Sequence, residues 1–495
     1  MNTIQRIAKN TIFLASSNII GFVFSFFFLV YTTRYLGTER YGLLSFAIAF
    51  ASITIFLADI GISSVIVRDV ARDRSKTAIY IGNSILMKVV LAAITLLSTA
   101  AIGFALGYPF STMKVEIGRA SCRERVVILL SLIVVSFSGI ISSVVSAYEI
   151  MEYISIGTVI YNLIMLTFAL LAISSGVDVY GFAYVYLFSS FISLGYFALV
   201  ALRKLPRPRW DIDISLWKYM IKEAIPFGLS SVFVRVYYYV DTVMISLLIL
   251  NPNEVMGWYN AAYRMVIILS FIPVTFLGSI YPIMSKFYVS SDQYLGFMYE
   301  RSFKYLMAIA IPIGVGTTVL GEDLVSLVYG PAFAPSTIAL QILIWSESLI
   351  FINSAFGYLF NSINRQMIVA KQTMLAAGLN ILLNLFLIPQ YSYIGASSAT
   401  VATQFFSFLF LLYIASKEGY GLPRNMIASL AKILVACLAM VLFIRGFDQL
   451  PVPLLIVISA IIYFFLIIIL RVVDKVDIQM AGQLLSGIRI PRKKG

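Results

Sequence analysis

The sequence contains no histidine and only two cysteines, Cys122 and Cys437. Histidine is the commonest acid–base catalyst and metal ligand, so its absence argues against both kinds of site, and two cysteines provide no disulfide framework. Charged residues are also scarce: they make up 12% of 495 residues, against about 25% in soluble domains. Most side chains are therefore expected to avoid water. We expect no metal, no cofactor and no catalytic residues.

Long apolar runs take the place of the missing charge. The chain is 60% hydrophobic, its mean hydropathy is +0.94, and residues 10–33 and 89–113 carry no charge at all. A helix of about 20 apolar residues crosses a bilayer, whereas the strands of a membrane barrel would alternate apolar and polar residues. The sequence therefore predicts an all-α integral membrane protein. Its fourteen predicted transmembrane helices cover residues 11–35, 41–66, 79–107, 126–148, 154–175, 179–202, 223–249, 257–285, 302–320, 336–360, 368–389, 395–416, 426–445 and 452–471.

Lysine and arginine are distributed unevenly among the predicted loops. With a cytoplasmic N-terminus, 26 of the 36 Lys and Arg residues lie on the cytoplasmic side, seven lie outside and three lie within spans. Cytoplasmic loops carry the excess of positive charge, so we expect both termini in the cytoplasm and the chain in the plasma membrane. The net charge of +13 then requires no nucleic acid. The basic tail at 489–494 is expected to contact membrane lipids.

Short patterns recur at a nearly constant distance. The pattern at 13–17 (FLASS) returns at 227–231 (FGLSS), and Glu39-x-x-Gly42 returns as Glu254-x-x-Gly257. An offset of six spans keeps both copies in the same orientation, which predicts a parallel repeat. We therefore predict a six-helix lobe at 1–210, a second at 211–420, and two additional helices with a basic tail at 421–495.

Residues 116–126 (EIGRASCRERV) place three arginines in a loop that the charge distribution assigns to the outside. The stretch also back-translates without adjustment to a short-read sequencing adapter. Our hypothesis is that it is an assembly artefact rather than a native basic loop, so Cys122 carries no functional argument. Long-read sequencing of the source DNA tests this, and recovery of the same codons would refute it.

Several segments together resemble a known family. The stretch at 32–50 (TTRYLGTERYGLLSFAIAF) and the one at 57–72 (LADIGISSVIVRDVAR) are similar to the N-terminal signature of polysaccharide repeat-unit flippases. These belong to the multidrug/oligosaccharidyl-lipid/polysaccharide (MOP) exporter superfamily. The second half agrees at 225–245, 257–265 and 388–400. The resemblance implies two six-helix lobes facing each other, plus two extra helices. It also implies transfer of an isoprenoid-diphosphate-linked oligosaccharide to the outer leaflet by alternating access.

Other functions remain open at this point. A cation-coupled multidrug antiporter and a lipid II flippase share the fold that the resemblance implies. A membrane glycosyltransferase or polymerase would need acidic catalytic residues on a large external loop, and the predicted outside loops are short, so we expect no enzyme. The expected partners are the lipid-linked oligosaccharide and membrane lipids, with glycosyltransferases or a polymerase of the same pathway as further candidates.

Five ionisable residues within the predicted spans are the candidate site residues. Charge inside hydrocarbon indicates function unless a neighbouring helix neutralises it. Arg235 and Lys88 are predicted to face a cavity and bind the diphosphate, with a structural pair as the alternative. Asp241 and Arg264 share a depth of about 10–12 Å on adjacent antiparallel helices. They are predicted to pair, with substrate binding by Arg264 and ion coupling by Asp241 as alternatives. Glu347 is a candidate proton or cation site.

The predicted topology is directly testable. Single cysteines introduced at Asn253 and Arg207 are expected to react with membrane-impermeant thiol reagents from opposite sides, Asn253 from outside and Arg207 from the cytoplasm. Labelling of both positions from the same side would contradict the fourteen-span arrangement.

Overall fold

The computed structural model describes residues 3–106, 116–422 and 425–472, without the side chains of 3–12, 14, 15, 116–123 and 230. This part of the chain forms fifteen α-helices joined by short turns, and it contains no β-strand. The helices are α1 (Thr3–Thr54), α2 (Ile62–Arg72), α3 (Thr77–Ala105), α4 (Glu116–Ala147), α5 (Met151–Ser174), α6 (Val179–Lys204), α7 (Ile214–Leu248), α8 (Pro252–Ile267), α9 (Phe271–Ser290), α10 (Asp292–Val319), α11 (Gly321–Tyr329), α12 (Ser336–Ser362), α13 (Gln366–Lys417), α14 (Met426–Gly446) and α15 (Val452–Ile469).

Twelve segments of the described chain are long and apolar enough to cross a membrane. Two of them contain a backbone break that divides them into two crossings. In α1 the break is at Gly37, where φ is 70°, and in α13 it is at Ser392, where φ is 54°. A left-handed residue ends one helical direction and begins another, so the twelve segments account for the fourteen predicted spans. The prediction of an all-α membrane protein is confirmed.

The second span ends earlier than the predicted residue 66. Its apolar helix continues as a 3₁₀ turn to Ala58, and the left-handed residues Ile60 and Gly61 then redirect the chain into α2. This helix is amphipathic and buries its apolar face on unit 1 residues from α3, α4 and α7. On its polar side Arg68 donates hydrogen bonds to Asp69 and to Glu223 of α7, both at 2.8 Å. Burial raises the pKa of the Asp69 carboxyl, but hydrogen bonds from Arg68 and Tyr80 outweigh it and leave the pKa below its ordinary value.

The two copies of the predicted repeat contact each other through corresponding glycines. A Cβ added to Gly42 would lie 1.8 Å from the carbonyl oxygen of Asn253, and one added to Gly257 would lie 2.1 Å from that of Thr38. Glu39 and Asn253, 214 residues apart, approach to 3.5 Å in the same place. Left-handed residues Gly37 and Asn251 precede these contacts at the same offset. A contact between corresponding residues is what a two-fold repeat predicts at its axis.

The chain divides into two compact units. Unit 1 comprises Met1–Arg264, Val328–Ala339 and Ala370–Thr403, and unit 2 comprises Met265–Leu327, Leu340–Val369 and Gln404–Gly495. Unit 1 has an apolar core of α2, α3, α4, α6 and α7 residues. Unit 2 has one core around α9, α10 and α12 and another around α10, α14 and α15. These units are compact groups of contacts, and the division into lobes at 1–210 and 211–420 stays a prediction.

Helix α4 begins within the suspected adapter-derived stretch. Only the backbone is described at 116–123, so the side chain of Cys122 lies outside the described residues. Glu124 is 1% exposed, and neither of its carboxylate oxygens has a hydrogen-bond partner in the described chain. Native proteins rarely bury a carboxylate without a donor. This mismatch supports the hypothesis that residues 116–126 did not evolve with this fold.

The glycine contact predicts a position-specific loss of stability. In Gly42→Ala and Gly257→Ala the new methyl group meets backbone that cannot rotate away, so each variant should lose about 1–3 kcal/mol of stability. Gly195→Ala is the matched control, because nothing lies within 4 Å of its Cβ, and it should be neutral or slightly stabilising. Thermal unfolding in detergent measures the difference. Equal melting temperatures for all three variants would show that the two segments do not pack this closely.

Candidate functional site

The carboxylate of Asp241 lies at the centre of a polar cluster inside unit 1. Its side chain is 3% exposed. Tyr259 of α8 donates to Oδ2 at 2.5 Å, Thr400 of α13 donates to Oδ2 at 2.8 Å, and Asn384 of α13 donates to Oδ1 at 2.6 Å. Three neutral donors from two other helices thus replace water around one buried carboxylate, which is how a protein stabilises a charge that has no counter-ion.

A second layer of amides extends the cluster. The Asn384 Nδ2 group also donates to the side-chain Oδ1 of Asn380 at 3.0 Å. This amide nitrogen therefore has two acceptors. Within the described chain, Asn384 Oδ1 and Asn380 Nδ2 are buried and have no hydrogen-bond partner. A buried acceptor without a donor, beside a carboxylate, is suited to a proton on the carboxylate or to a small cation bound by oxygen. No group of three acidic, cysteine or histidine residues that could hold a metal occurs in the described chain.

Arg264 lies half-buried on α8, next to tyrosines rather than acids. Its guanidinium interacts electrostatically with the hydroxyl groups of four tyrosines, and no ion pair to it occurs in the described residues. The tyrosines come from four different helices of unit 1: Tyr41 from α1, Tyr186 from α6, Tyr239 from α7 and Tyr263 from α8. A cation within electrostatic range of hydroxyl groups, and without an acidic partner among the described residues, keeps its charge available to an anion.

The predicted ion pair between Asp241 and Arg264 is therefore wrong. Helix α8 presents different faces to the two residues. Tyr259, which binds Asp241, and Arg264 are five residues apart, so their side chains point about 140° apart around the helix. Tyr259, Asn384 and Thr400 donate hydrogen bonds to the carboxylate, and no ion pair to it occurs in the described chain.

Arg235 is the other arginine that was predicted to bind the substrate. It lies on α7, six residues before Asp241, and is half-buried. No hydrogen bond or ion pair to its side chain occurs in the part of the chain that the structure describes. Its role in substrate binding stays a prediction.

Lys88 is different, because the structure gives it the structural role that was left as the alternative. Its side chain is 1% exposed, and its ammonium group lies 2.9 Å from Asp59 Oδ1. It also donates to the backbone carbonyl of Ser136 in α4. An ammonium group enclosed in this way joins α3 to α4 and to the end of the second span and does not face an aqueous cavity. The predicted contribution of Lys88 to a cavity is corrected accordingly.

Glu347 lies on α12 in unit 2 and is 2% exposed. It accepts a hydrogen bond of 2.5 Å from the hydroxyl group of Ser270. Ser270 ends a 3₁₀ turn, Ile268–Ser270, that separates α8 from α9. The carboxylate thus contacts an irregular point in a long helical segment, and its role as a proton or cation site stays a prediction.

The sequence analysis missed the ligands of Asp241 because of their residue type. We searched the spans for ionisable residues, whereas most ligands of Asp241 are neutral. Asn380 and Asn384 were visible as two amides four residues apart within the predicted span 368–389. This spacing places them on one helix face, and that signal could have been read.

The fold is shared with solved structures of membrane proteins. The structure matches that of the lipid II flippase MurJ in an inward closed conformation with a TM-score of 0.76 and 15% identity, covering 95% of this chain and 99% of MurJ. It matches an inward-facing multidrug resistance MATE family transporter of the MOP superfamily with a TM-score of 0.65 and 14% identity, covering 82% of this chain and 98% of the transporter. At these identities the matches establish a shared fold.

Sequence comparison specifies the family within this class. Residues 7–288 match the model of the polysaccharide biosynthesis protein family, and the chain belongs to that family. It is also similar to a probable low-salt glycan biosynthesis flippase of the archaeon Haloferax volcanii, with 21% identity over 399 residues that cover 80% of each chain.

The contact between Lys88 and Asp59 predicts an asymmetric double-mutant cycle. Asp59→Asn leaves a buried ammonium group without a counter-ion, so the free energy of unfolding should decrease by about 3–5 kcal/mol. Adding Lys88→Met should recover much of that loss, because the double variant buries no charge. Asp73→Asn is the control, since its partner Lys76 is exposed and 3.6 Å away, and it should lose less than about 1 kcal/mol. Additive losses on thermal unfolding would show that Lys88 and Asp59 do not depend on each other.

Proposed function

We propose that this protein is a flippase that moves an isoprenoid-diphosphate-linked oligosaccharide from the cytoplasmic to the outer leaflet by alternating access. The family of the chain, its MOP fold and its similarity to a glycan biosynthesis flippase support this function. The observation that carries the proposal is the environment of Arg264. A guanidinium surrounded by tyrosines, with no acidic partner among the described residues, is suited to an anionic, hydroxyl-rich ligand.

The chemistry of the substrate explains both parts of this environment. A diphosphate carries charge that must leave the headgroup region, and a guanidinium binds phosphate oxygens with paired hydrogen bonds. Tyrosine hydroxyl groups can donate to and accept from sugar hydroxyl groups, and the rings supply flat apolar surface. Arg235, half-buried on α7, provides a second cation for the same ligand.

The Asp241 cluster supplies a reason for energy coupling. A carboxylate held by Tyr259, Asn384 and Thr400 joins α7, α8 and α13, so binding or loss of a proton or monovalent cation changes the charge at a junction of three helices. In this proposal the cluster couples transport to an ion gradient and does not touch the lipid-linked sugar. Glu347 is a second candidate for this coupling role.

A cation-coupled multidrug antiporter is the second candidate function, because the Asp241 cluster and the MATE match favour it. Arg264 and Arg235, which have no ion pair among the described residues, argue against it, since they would repel the cationic compounds that such antiporters export. A lipid II flippase handles the same kind of isoprenoid diphosphate and differs in the sugar it carries. The chemistry of Arg264 does not separate these two flippases.

The excess of Lys and Arg in alternate loops supports cytoplasmic termini and a plasma-membrane location. In that orientation the substrate would arrive from glycosyltransferases that assemble lipid-linked sugars on the cytoplasmic face. A polymerase or transferase acting on the outer face would consume the translocated product.

Charge reversal tests the proposed substrate site. In a strain that lacks the chromosomal copy, Arg264→Glu and Arg235→Glu should reduce surface polysaccharide at least about tenfold, because each places an acid against a diphosphate. Arg445→Glu, at an exposed cation near the end of α14, should complement normally. Immunoblotting of membranes must find all variants at wild-type abundance. Normal export by both cavity variants would overturn the role of these arginines.

A transport assay tests coupling. In proteoliposomes, transport by the wild type should depend on an imposed sodium or proton gradient. Asp241→Asn should remove that dependence, while Asp448→Asn, at an exposed acid, should retain it. Unchanged coupling in Asp241→Asn would exclude the cluster from this role.

A further inference from the structure

The segment that precedes α7 is fixed to α3 by a buried amide. Asn83 of α3 is fully buried, and its Nδ2 group donates to the backbone carbonyl of Asp211 at 3.0 Å. Its Oδ1 atom accepts from the backbone amide of Asp213 at 2.9 Å and from the indole Nε1 of Trp217 at 2.8 Å. This amide is costly to displace, because three partners on the other segment would lose their hydrogen bonds together.

The backbone of the same segment packs directly on α3. Arg209 donates its backbone amide to the carbonyl oxygen of Ala78 at 2.9 Å. A Cβ added to Gly82 would lie 1.7 Å from the carbonyl oxygen of Arg209, so a side chain at position 82 would push the segment away. Residues 205–213, which connect the two predicted repeat copies, therefore lie along α3 and do not form a free linker.

The first turns of α7 continue this attachment on α2. Met220 and Ala224 are fully buried and share an apolar core with residues of α2, α3 and α4. A Cβ added to Gly61 would lie 2.6 Å from the carbonyl oxygen of Ala224, and one added to Gly228 would lie 2.5 Å from that of Ile60. The turn that begins α2 and the backbone of α7 therefore touch with no side chain between them.

Side chains hold α7 on α2 more firmly than they hold the glycine contact of α1 and α8. On α2, Arg68 donates to Glu223 of α7 at 2.8 Å and to Tyr219 of α7 at 3.1 Å. At the glycine contact, Glu39 and Asn253 share an exposed hydrogen bond of 3.5 Å, which is the limit of such a bond. Separating α7 from α2 and α3 would break an ion pair and the buried amide contacts described above. The glycine contact is therefore the better candidate for a contact that opens.

We propose that residues 205–228 form a permanent joint with α2 and α3, about which the two predicted repeat copies pivot while the glycine contact opens and closes. Asn83 is a positioning residue in this joint, because it fixes the start of α7. The inference rests on the proposed function, since it concerns the movement by which a flippase exposes its site. It agrees with the contacts of the chain, which group α7 and α8 with the first copy in unit 1.

Covalent links at the two contacts test which of them must open. In full-length protein whose native cysteines are replaced by alanine, Arg68→Cys/Glu223→Cys and Glu39→Cys/Asn253→Cys each replace a polar contact by two thiols that a short bismaleimide can join. The linked 68/223 variant should transport an isoprenyl-diphosphate-linked sugar into proteoliposomes within about twofold of its unlinked form. The linked 39/253 variant should lose at least about tenfold, because its link holds the moving contact closed. Each single-cysteine variant treated with the reagent is the control.

Spin labels on the same cysteine pairs give a measurement that does not depend on transport. Under an imposed sodium or proton gradient, the distance between labels at positions 68 and 223 should keep one value, while the distance between labels at 39 and 253 should take two. A changing 68-to-223 distance, or a 68/223 link that stops transport, would overturn the joint. Absence of transport by the unlinked protein, with the 68-to-223 distance constant, would count against the flippase and not against the joint.

Rescue by the covalent link separates positioning by Asn83 from a general effect on folding. Asn83→Ala removes the amide that holds the start of α7, so transport should fall at least about fivefold. Linking positions 68 and 223 should restore most of that transport, because the link then holds α7 on α2. Asn162→Ala is the matched control: its amide accepts from Ser25 of α1 within the first copy, so the link should not improve it. If the link fails to restore Asn83→Ala present at wild-type abundance, Asn83 does not position α7.

Discussion

An ionisable side chain is stable inside hydrocarbon only where the protein supplies the hydrogen bonds or the counter-charge that replace water. Unit 1 does this in three different ways. Lys88 receives a carboxylate, and Asp241 receives three hydrogen-bond donors. Arg264 lies near tyrosine hydroxyl groups, whose dipoles partly stabilise its charge without neutralising it. The first arrangement holds helices together. In the proposed function, the second accepts a proton or cation, and the third leaves a cation for an anionic ligand. The division of roles follows from which partner each charge has.

A close backbone contact between α1 and α8 helps to position these charges. The backbone carbonyl oxygens of Asn253 and Thr38 pack against Gly42 and Gly257, so α1 and α8 approach more closely than larger side chains would allow. Arg264 lies seven residues after Gly257 on α8, and Tyr41 adjoins Gly42 on α1. The close approach of the two helices therefore helps to bring a tyrosine of one copy to the arginine of the other.

The sequence predicted the membrane class, the fourteen crossings and the family, because apolar length and charge asymmetry depend on composition rather than on detailed packing. It placed Asp241 and Arg264 at one depth, which stays a prediction, and it was wrong about their partnership. Depth follows from residue number at about 1.5 Å per residue, but partnership depends on the face each side chain presents and on distant residues. Asn384 and Thr400 lie more than 140 residues from Asp241 in sequence, and no local pattern connects them. The pairing of Lys88 with Asp59 was missed for the same reason.

The central claim is that Arg264 and Arg235 hold the diphosphate of a lipid-linked sugar. The most direct test is equilibrium binding of an isoprenyl-diphosphate oligosaccharide and of the corresponding uncharged isoprenol to the wild type and to Arg264→Gln/Arg235→Gln. The account predicts that the wild type prefers the diphosphate and that the variant loses this preference while binding the isoprenol equally well. Undiminished preference for the diphosphate in the variant would contradict it.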